Sequence, residues 1–236
     1  MPDVACGAVD MAGKCISWGH PNWFVTFDGT QYSFAGLGEF VMYADEKETE
    51  QLNVIQARAG RTSYSKGVAF RTGKDVITVV LERTQTMPQR TEVVVHHNGE
   101  KVYANATKAS LGGFSIMQQG TLGSRLLIAI SNGNGTKAAI TFYDRRGYHH
   151  ADVFVQVSSA QFGKTKGLCG NYNLQANDDM QTPDRQVVVS GAQMGASWSV
   201  THPDTGKPDF KPPTEPIVLD DLPAFRLSQS EADWNK

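Results

Sequence analysis

The segment Gly167-Leu168-Cys169-Gly170-Asn171-Tyr172-Asn173, with Asn177-Asp178-Asp179 close behind, places a cysteine, two glycines and five short oxygen-bearing side chains within thirteen positions. Oxygen donors at this density suit a hard cation such as calcium, which binds oxygen only and takes roughly six to eight ligands. The same residue types also cap turns on polar surfaces, and the fixed ligand spacing of an EF-hand is absent. Taken alone, these residues allow either a cation-holding loop or a polar turn. Other candidate chemistry is weaker. His96-His97 and His149-His150 invite a zinc reading, but strand neighbours point to opposite faces, so neither pair can chelate one ion and surface histidines are expected. No Gly-x-Ser-x-Gly nucleophile elbow supports a hydrolase. Trp18, Trp23 and Trp198 read as core or sheet-packing residues rather than a ligand cage.

The elements that must position the loop are short strands. Trp23 to Phe27 alternates as a half-buried strand does, Asp28-Gly29 predicts a type I′ hairpin turn, and Gln31 to Phe34 returns. Further strand signals cover Glu39–Tyr43, Leu52–Ala57, Val68–Phe70, Asp75–Glu82 and Glu92–His96, whose Asn98-Gly99 turn leads into Lys101–Tyr103. Phe114–Met117, Arg125–Ile130, Ala138–Tyr143, Val153–Val157 and Val187–Val189 complete the series. Val76-Ile77-Thr78-Val79-Val80 and Val93-Val94-Val95 are β-branched runs that a helix tolerates poorly. The expected fold is therefore all-β: a two-sheet β-sandwich of about ten or more short antiparallel strands, from strand signals spaced by Gly and Asn turns.

At 236 residues the chain is long enough to bury a core without staples. Its 22 basic and 24 acidic residues are dispersed, which argues against a nucleic-acid partner and against a basic membrane-surface patch. No apolar run approaches the roughly 20 residues of a membrane span, so direct membrane insertion is not expected. Met1-Pro2-Asp3-Val4 does not open a signal peptide, so a secreted reading requires a fragment of a larger precursor. Residues 1–14 read as a leader or the end of a preceding module, and 200–236 as an extended tail that holds six of the ten prolines. Ser228 to Glu231 has capping-box spacing for one short helix. Cys6, Cys15 and Cys169 make an odd count, which fits idle thiols in the cytosol or, outside it, one pair and one leftover. Asn105-Ala106-Thr107 and Asn134-Gly135-Thr136 are glycosylation sequons in turn-like segments.

Three segments together resemble the von Willebrand factor type D domain. They are Cys15-Ile16-Ser17-Trp18-Gly19-His20-Pro21 with Val25 to Thr30 and Tyr32-Ser33-Phe34, then Gly167 to Asn173 with Asn177-Asp178-Asp179, and last Gly195-Ala196-Ser197-Trp198. The resemblance spans residues 15–199. Gly36-Leu37-Gly38-Glu39-Phe40 is similar to the branch that carries this domain beside NIDO and AMOP modules, in membrane mucins, sushi-domain surface proteins and mucin-like matrix proteins. The resemblance implies a Cys15–Cys169 disulfide, with Cys6 left for an intermolecular bond. It implies a calcium site made of Asp28, Asn171, Asn173, Asp178 and Asp179, with the Gln175 carbonyl. Relatives often have Asp where Asn173 stands, which lowers the ligand charge here. They also often read Gly-Asp-Pro-His at Gly19-His20-Pro21-Asn22; lacking that Asp, this chain is not expected to cleave itself at His20-Pro21.

What the resemblance implies for function is a non-enzymatic, calcium-binding structural or adhesive module, secreted or on the extracellular face of the plasma membrane. Its partners would be other modules of its precursor, or matrix and mucin proteins. Two alternatives follow from other proteins that contain such domains: a secreted luciferase-like oxidoreductase and a piece of a large lipid carrier. The former class is rich in cysteine and has two such domains, unlike this chain, and no segment here looks like a lipid cavity.

Overall fold

The computed structural model describes residues 12–19, 22–36, 38–45, 53–59, 65–83, 91–102, 108–122, 124–145 and 148–200. Cys6, the Asn105 sequon, the His20-Pro21 bond, the proline-rich tail and the Ser228–Glu231 helix lie outside these residues. Among the described residues the strands are β1 (Gly13–Trp18), β2 (Asn22–Val25), β3 (Gln31–Phe34), β4 (Gly38–Asp45) and β5 (Asn53–Ala59). They continue with β6 (Ser65–Thr72), β7 (Asp75–Arg83), β8 (Thr91–His97), β9 (Glu100–Val102) and β10 (Lys108–Leu111). The last five are β11 (Phe114–Thr121), β12 (Arg125–Asn132), β13 (Lys137–Arg145), β14 (Tyr148–Val157) and β15 (Thr165–Lys166), followed by a helix α1 (Gly191–Ser197).

All the strand pairs are antiparallel. The ladders connect all fifteen strands, and they fold into two sheets: one runs β10-β11-β12-β13-β14-β1-β2-β3 and the other β9-β8-β7-β6-β5-β4-β15. A single residue pair, Ala151↔Ser65 between β14 and β6, joins their ladders. Their inner faces pack together. Phe70 of β6 meets Phe114 of β11 edge-on at 5.1 Å, and Phe34 of β3 meets Phe40 of β4 at 5.0 Å. Residues distant along the ladder path touch because two sheets stack, as in a β-sandwich. Period-two alternation sends Leu126, Ile128 and Ile130 of β12, and Ala151, Val153, Val155 and Val157 of β14, into the core.

Strand β4 is enclosed along nearly its whole length. Glu39 to Asp45 are all buried, because one edge of the strand pairs with β5 and the other is covered by the end of the domain. Along that second edge Thr165 and Lys166 pair with Asp45 and Ala44, Cys169 donates its N–H to Met42, and Leu168 donates to Val41. Val41 in turn donates to the Trp198 carbonyl, and Val200 donates to that of Glu39. An exposed row of backbone groups would template association with another chain, and here the closing segment satisfies it.

Several expectations from sequence need correction. Val187–Val189 is not a strand: Val187 makes only an isolated bridge to Gln181, and Val189 is 93% exposed. Its β-branched residues had no neighbour strand to complete a ladder. Asp28-Gly29 is not a two-residue type I′ turn. That turn needs positive φ at both central residues, and in the Thr26–Thr30 connection Gly29 has φ 95° whereas Asp28 is not left-handed. Asn98-Gly99, with φ 51° and 84°, does form such a turn between β8 and β9. The tryptophans fall where expected, Trp198 in the core and Trp23, 45% exposed, packed across the sheet opposite Trp18 on the outer face of β1 and β2. Strands β10 and β15 and helix α1 carry signals too short or too Gly-rich to stand out by periodicity. β1 begins at Gly13, two residues before the first cysteine of the sequence match.

Candidate metal centre

Between β2 and β3, Thr26, Asp28 and Thr30 stand at alternate positions, and each bonds to the loop that ends the domain. Thr26 Oγ1 donates to Asp179 Oδ2 at 2.5 Å, and Thr30 Oγ1 donates to the Ala176 carbonyl at 2.5 Å. Asp28 Oδ2 accepts the backbone N–H groups of Asn173 at 2.7 Å and Gln175 at 3.3 Å. Beside them Phe27 donates its N–H to the Cys169 carbonyl, and Tyr32 donates its hydroxyl to that of Leu168 at 2.5 Å. Thr26 and Thr30 were not among the site residues anticipated from sequence. The only sequence signal was the Thr-x-Asp-x-Thr pattern itself; it is the turn between β2 and β3 that brings the three oxygens to the loop.

The loop is held in shape from within. Thr165 Oγ1 donates to the Gly170 carbonyl at 3.0 Å and accepts the Tyr172 N–H at 2.9 Å. Cys15 of β1 and Cys169 are joined by a disulfide, S–S 2.07 Å with Cα atoms 5.6 Å apart, across a sequence separation of 154. Both cysteines are buried. In the chain-entropy account a closed loop of this length contributes about 4–5 kcal/mol by restricting the unfolded chain.

The expected ligands separate into two groups. Asp28 Oδ1, Asn171 Oδ1 and Asp179 Oδ1 are buried oxygens with no hydrogen-bond partner. Asn173 and Asp178 are turned toward each other, with Asn173 Nδ2 at 3.1 and 3.3 Å from the two Asp178 oxygens, and Asn173 Oδ1 accepts the Gln175 N–H. The Gln175 carbonyl accepts the Asp178 N–H of a 3-10 turn, Ala176–Asp178. Among the described residues no group of three or more His, Cys, Asp and Glu side chains is placed to hold a metal. The candidate centre therefore draws on amide as well as carboxylate oxygen.

Asp179 is 0% exposed. Burial pushes its carboxyl up to about 6, and the Asp28 charge adds to this, whereas the hydroxyls of Thr26 and Thr30 and the Asn171 N–H pull the other way. Burial, with the Asp179 charge beside it, likewise raises the Tyr32 phenol. Two acids thus share a corner in which each has a buried, unpaired oxygen, and unpaired buried oxygens of this kind are costly. An oxygen-seeking cation fits both features.

The von Willebrand factor type D domain profile matches residues 15–186. The chain belongs to that family. Among its relatives, Protein mesh of Bombyx mori is 28% identical over 202 residues, 78% of this chain and 12% of that protein. Alpha-tectorin of Homo sapiens is 28% identical over 199 residues, 84% of this chain and 8% of that protein. Mucin-2 of Homo sapiens is 24% identical over 190 residues, 79% of this chain and 3% of that protein. The chain thus spans only a small part of the length of these relatives. The matched profile covers the disulfide and the whole loop to Asp179.

Proposed function

We infer that this type D domain is a non-enzymatic, calcium-stabilised structural and adhesive module of a mucin-like or matrix protein acting outside the cell. The observation that carries the calcium reading is the trio of buried, unpaired oxygens on Asp28, Asn171 and Asp179, drawn from both ends of the domain. These residues would hold the cation, with Asn173, Asp178 and the Gln175 carbonyl nearby to contribute. A bound cation supplies charge neutralisation, and the protein supplies oxygens already positioned by the Thr26, Asp28 and Thr30 hydrogen bonds. The buried disulfide supports an oxidising compartment. Similarity to proteins named as a mucin and a tectorin supports work alongside other modules of a large chain.

The test is thermal. A ligand that binds only the folded state stabilises by mass action, about 2.7 kcal/mol at a hundredfold excess over Kd, or roughly 5–10 °C for a domain of this size. Calcium is expected to raise Tm by that order and a chelator to reverse it, with no response in Asp28→Ala. Equal responses in the two proteins would remove Asp28 from the site, and no response in the native chain would end the calcium reading.

A further inference from the structure

A polar cavity of about 440 Å³ opens against the candidate metal centre. Asn171, Asn173, Asp178 and Asp179 line it, together with Lys166 and Arg185. Asp179 is fully buried at the floor of this lining, and its Oδ1 has no hydrogen-bond partner. Two basic side chains beside a cation are unfavourable company for a second cation. They are favourable company for an anion. Two of the three residues with unpaired oxygens, Asn171 and Asp179, line the cavity, and its volume gives room for a group larger than water.

We propose that this cavity is a docking pocket for an acidic side chain of a neighbouring protein segment, whose carboxylate completes the coordination of the cation and pairs with Arg185 and Lys166. The inference rests on the calcium reading above. Arginine suits the role because its planar fork meets a carboxylate with two parallel N–H donors. A protein segment is favoured as the occupant because the relatives are long chains of which this domain spans a small part, so that neighbouring segments stand at high effective concentration. A single contact of this kind, measured with a free peptide, is expected to be weak, with Kd of about 1 mM.

The experiment uses the 236-residue chain in two steps. Calcium binding is first measured by calorimetry. A blocked tripeptide with glutamate at its centre is then titrated into the calcium-loaded protein and followed by NMR at the Trp198 indole N–H, which lines the same cavity and donates to the Gln181 carbonyl. Saturable shifts are expected with the glutamate peptide in calcium, and not with its glutamine counterpart or in chelator. The double variant Arg185→Gln with Lys166→Gln is expected to keep or tighten calcium binding and to weaken the peptide about fivefold or more. Intact calcium binding with no peptide response, or an equal response to the glutamine peptide, overturns the pocket and leaves the calcium reading standing. A response to free N-acetylneuraminic acid in place of the peptide overturns the protein segment as occupant. Absence of calcium binding overturns both.

Discussion

Gly170 has φ 80°, and a Cβ built there would stand 2.3 Å from Asp179 Oδ1. A side chain at this position would meet both a left-handed backbone and the buried Asp179 carboxylate, down to its Cβ at 3.1 Å. Gly170→Ala is therefore expected to cost about 1–3 kcal/mol in urea denaturation and, with Asp179 as a ligand, to weaken calcium binding. Asp75 offers a different test. The Asn98 amide, the Gly113 N–H and His97 hold its carboxyl below the usual carboxylate range against a partial desolvation cost. A depressed acid contributes stability above its unfolded pKa, about 3.9, and that contribution is lost as pH falls through the folded value. The acid limb of the stability–pH profile is expected to be shallower in Asp75→Asn, by a small amount because the side chain is partly exposed. At the Asn134 sequon the asparagine is exposed, but Thr136 is 0% exposed and its hydroxyl is buried against Tyr43. A glycan at Asn134 is expected only on chains modified before folding. Secretory expression should give a glycosidase-sensitive mass that Asn134→Gln removes, whereas an oligosaccharyltransferase added to the folded domain should leave it unmodified.

Helix α1 shows how an element can be placed by close approach rather than by propensity. Its N-cap Ser190 accepts the Gln193 N–H, but Gly191 and Gly195 make the seven-residue helix intrinsically poor. Those glycines are one turn apart and lie against β3: Cβ atoms would meet Ser33 O at 2.1 Å and Phe34 Cδ2 at 2.5 Å. Phe34 is itself stacked on Phe24 and set edge-on to Phe40. Gly195→Ala would ordinarily favour a helix by about 1 kcal/mol. Here it is expected to destabilise the domain by about 1–3 kcal/mol, because the aromatic cluster cannot yield. Denaturant midpoints of the two proteins decide between these signs.

Across the whole molecule, residues 165–200 serve as the missing edge of β4 and as the lid of the first hairpin. The disulfide, the Asp28 and Thr26 contacts and the Phe27 bond to Cys169 all fasten residues separated by about 140 or more positions. Replacing both Cys15 and Cys169 by serine is expected to lower unfolding free energy by up to about 4–5 kcal/mol, measured by guanidinium titration. The same change is expected to weaken calcium binding, because Phe27 bonds to the Cys169 carbonyl next to the candidate ligand Asp28.

Strand identity was legible in the sequence because β-branched alternation is a local property: Gln31–Phe34 is a strand with the limits its pattern predicts, and the Val76–Val80 and Val93–Val95 runs lie in β7 and β8. The Gly167–Asp179 loop was legible because its composition exceeds what a turn requires. The sequence by itself thus determined an all-β chain, its family and the types of atom available to a cation. Which oxygens remain unpaired was not legible. That Asn173 and Asp178 face each other while Asp28, Asn171 and Asp179 keep a buried free oxygen depends on contacts between a hairpin and a loop some 145 residues apart. Nor could periodicity show that Arg185 and Lys166 share a cavity with the acids. Hydrogen-bond partners and burial are properties of the packed chain, and only the tertiary structure decided them.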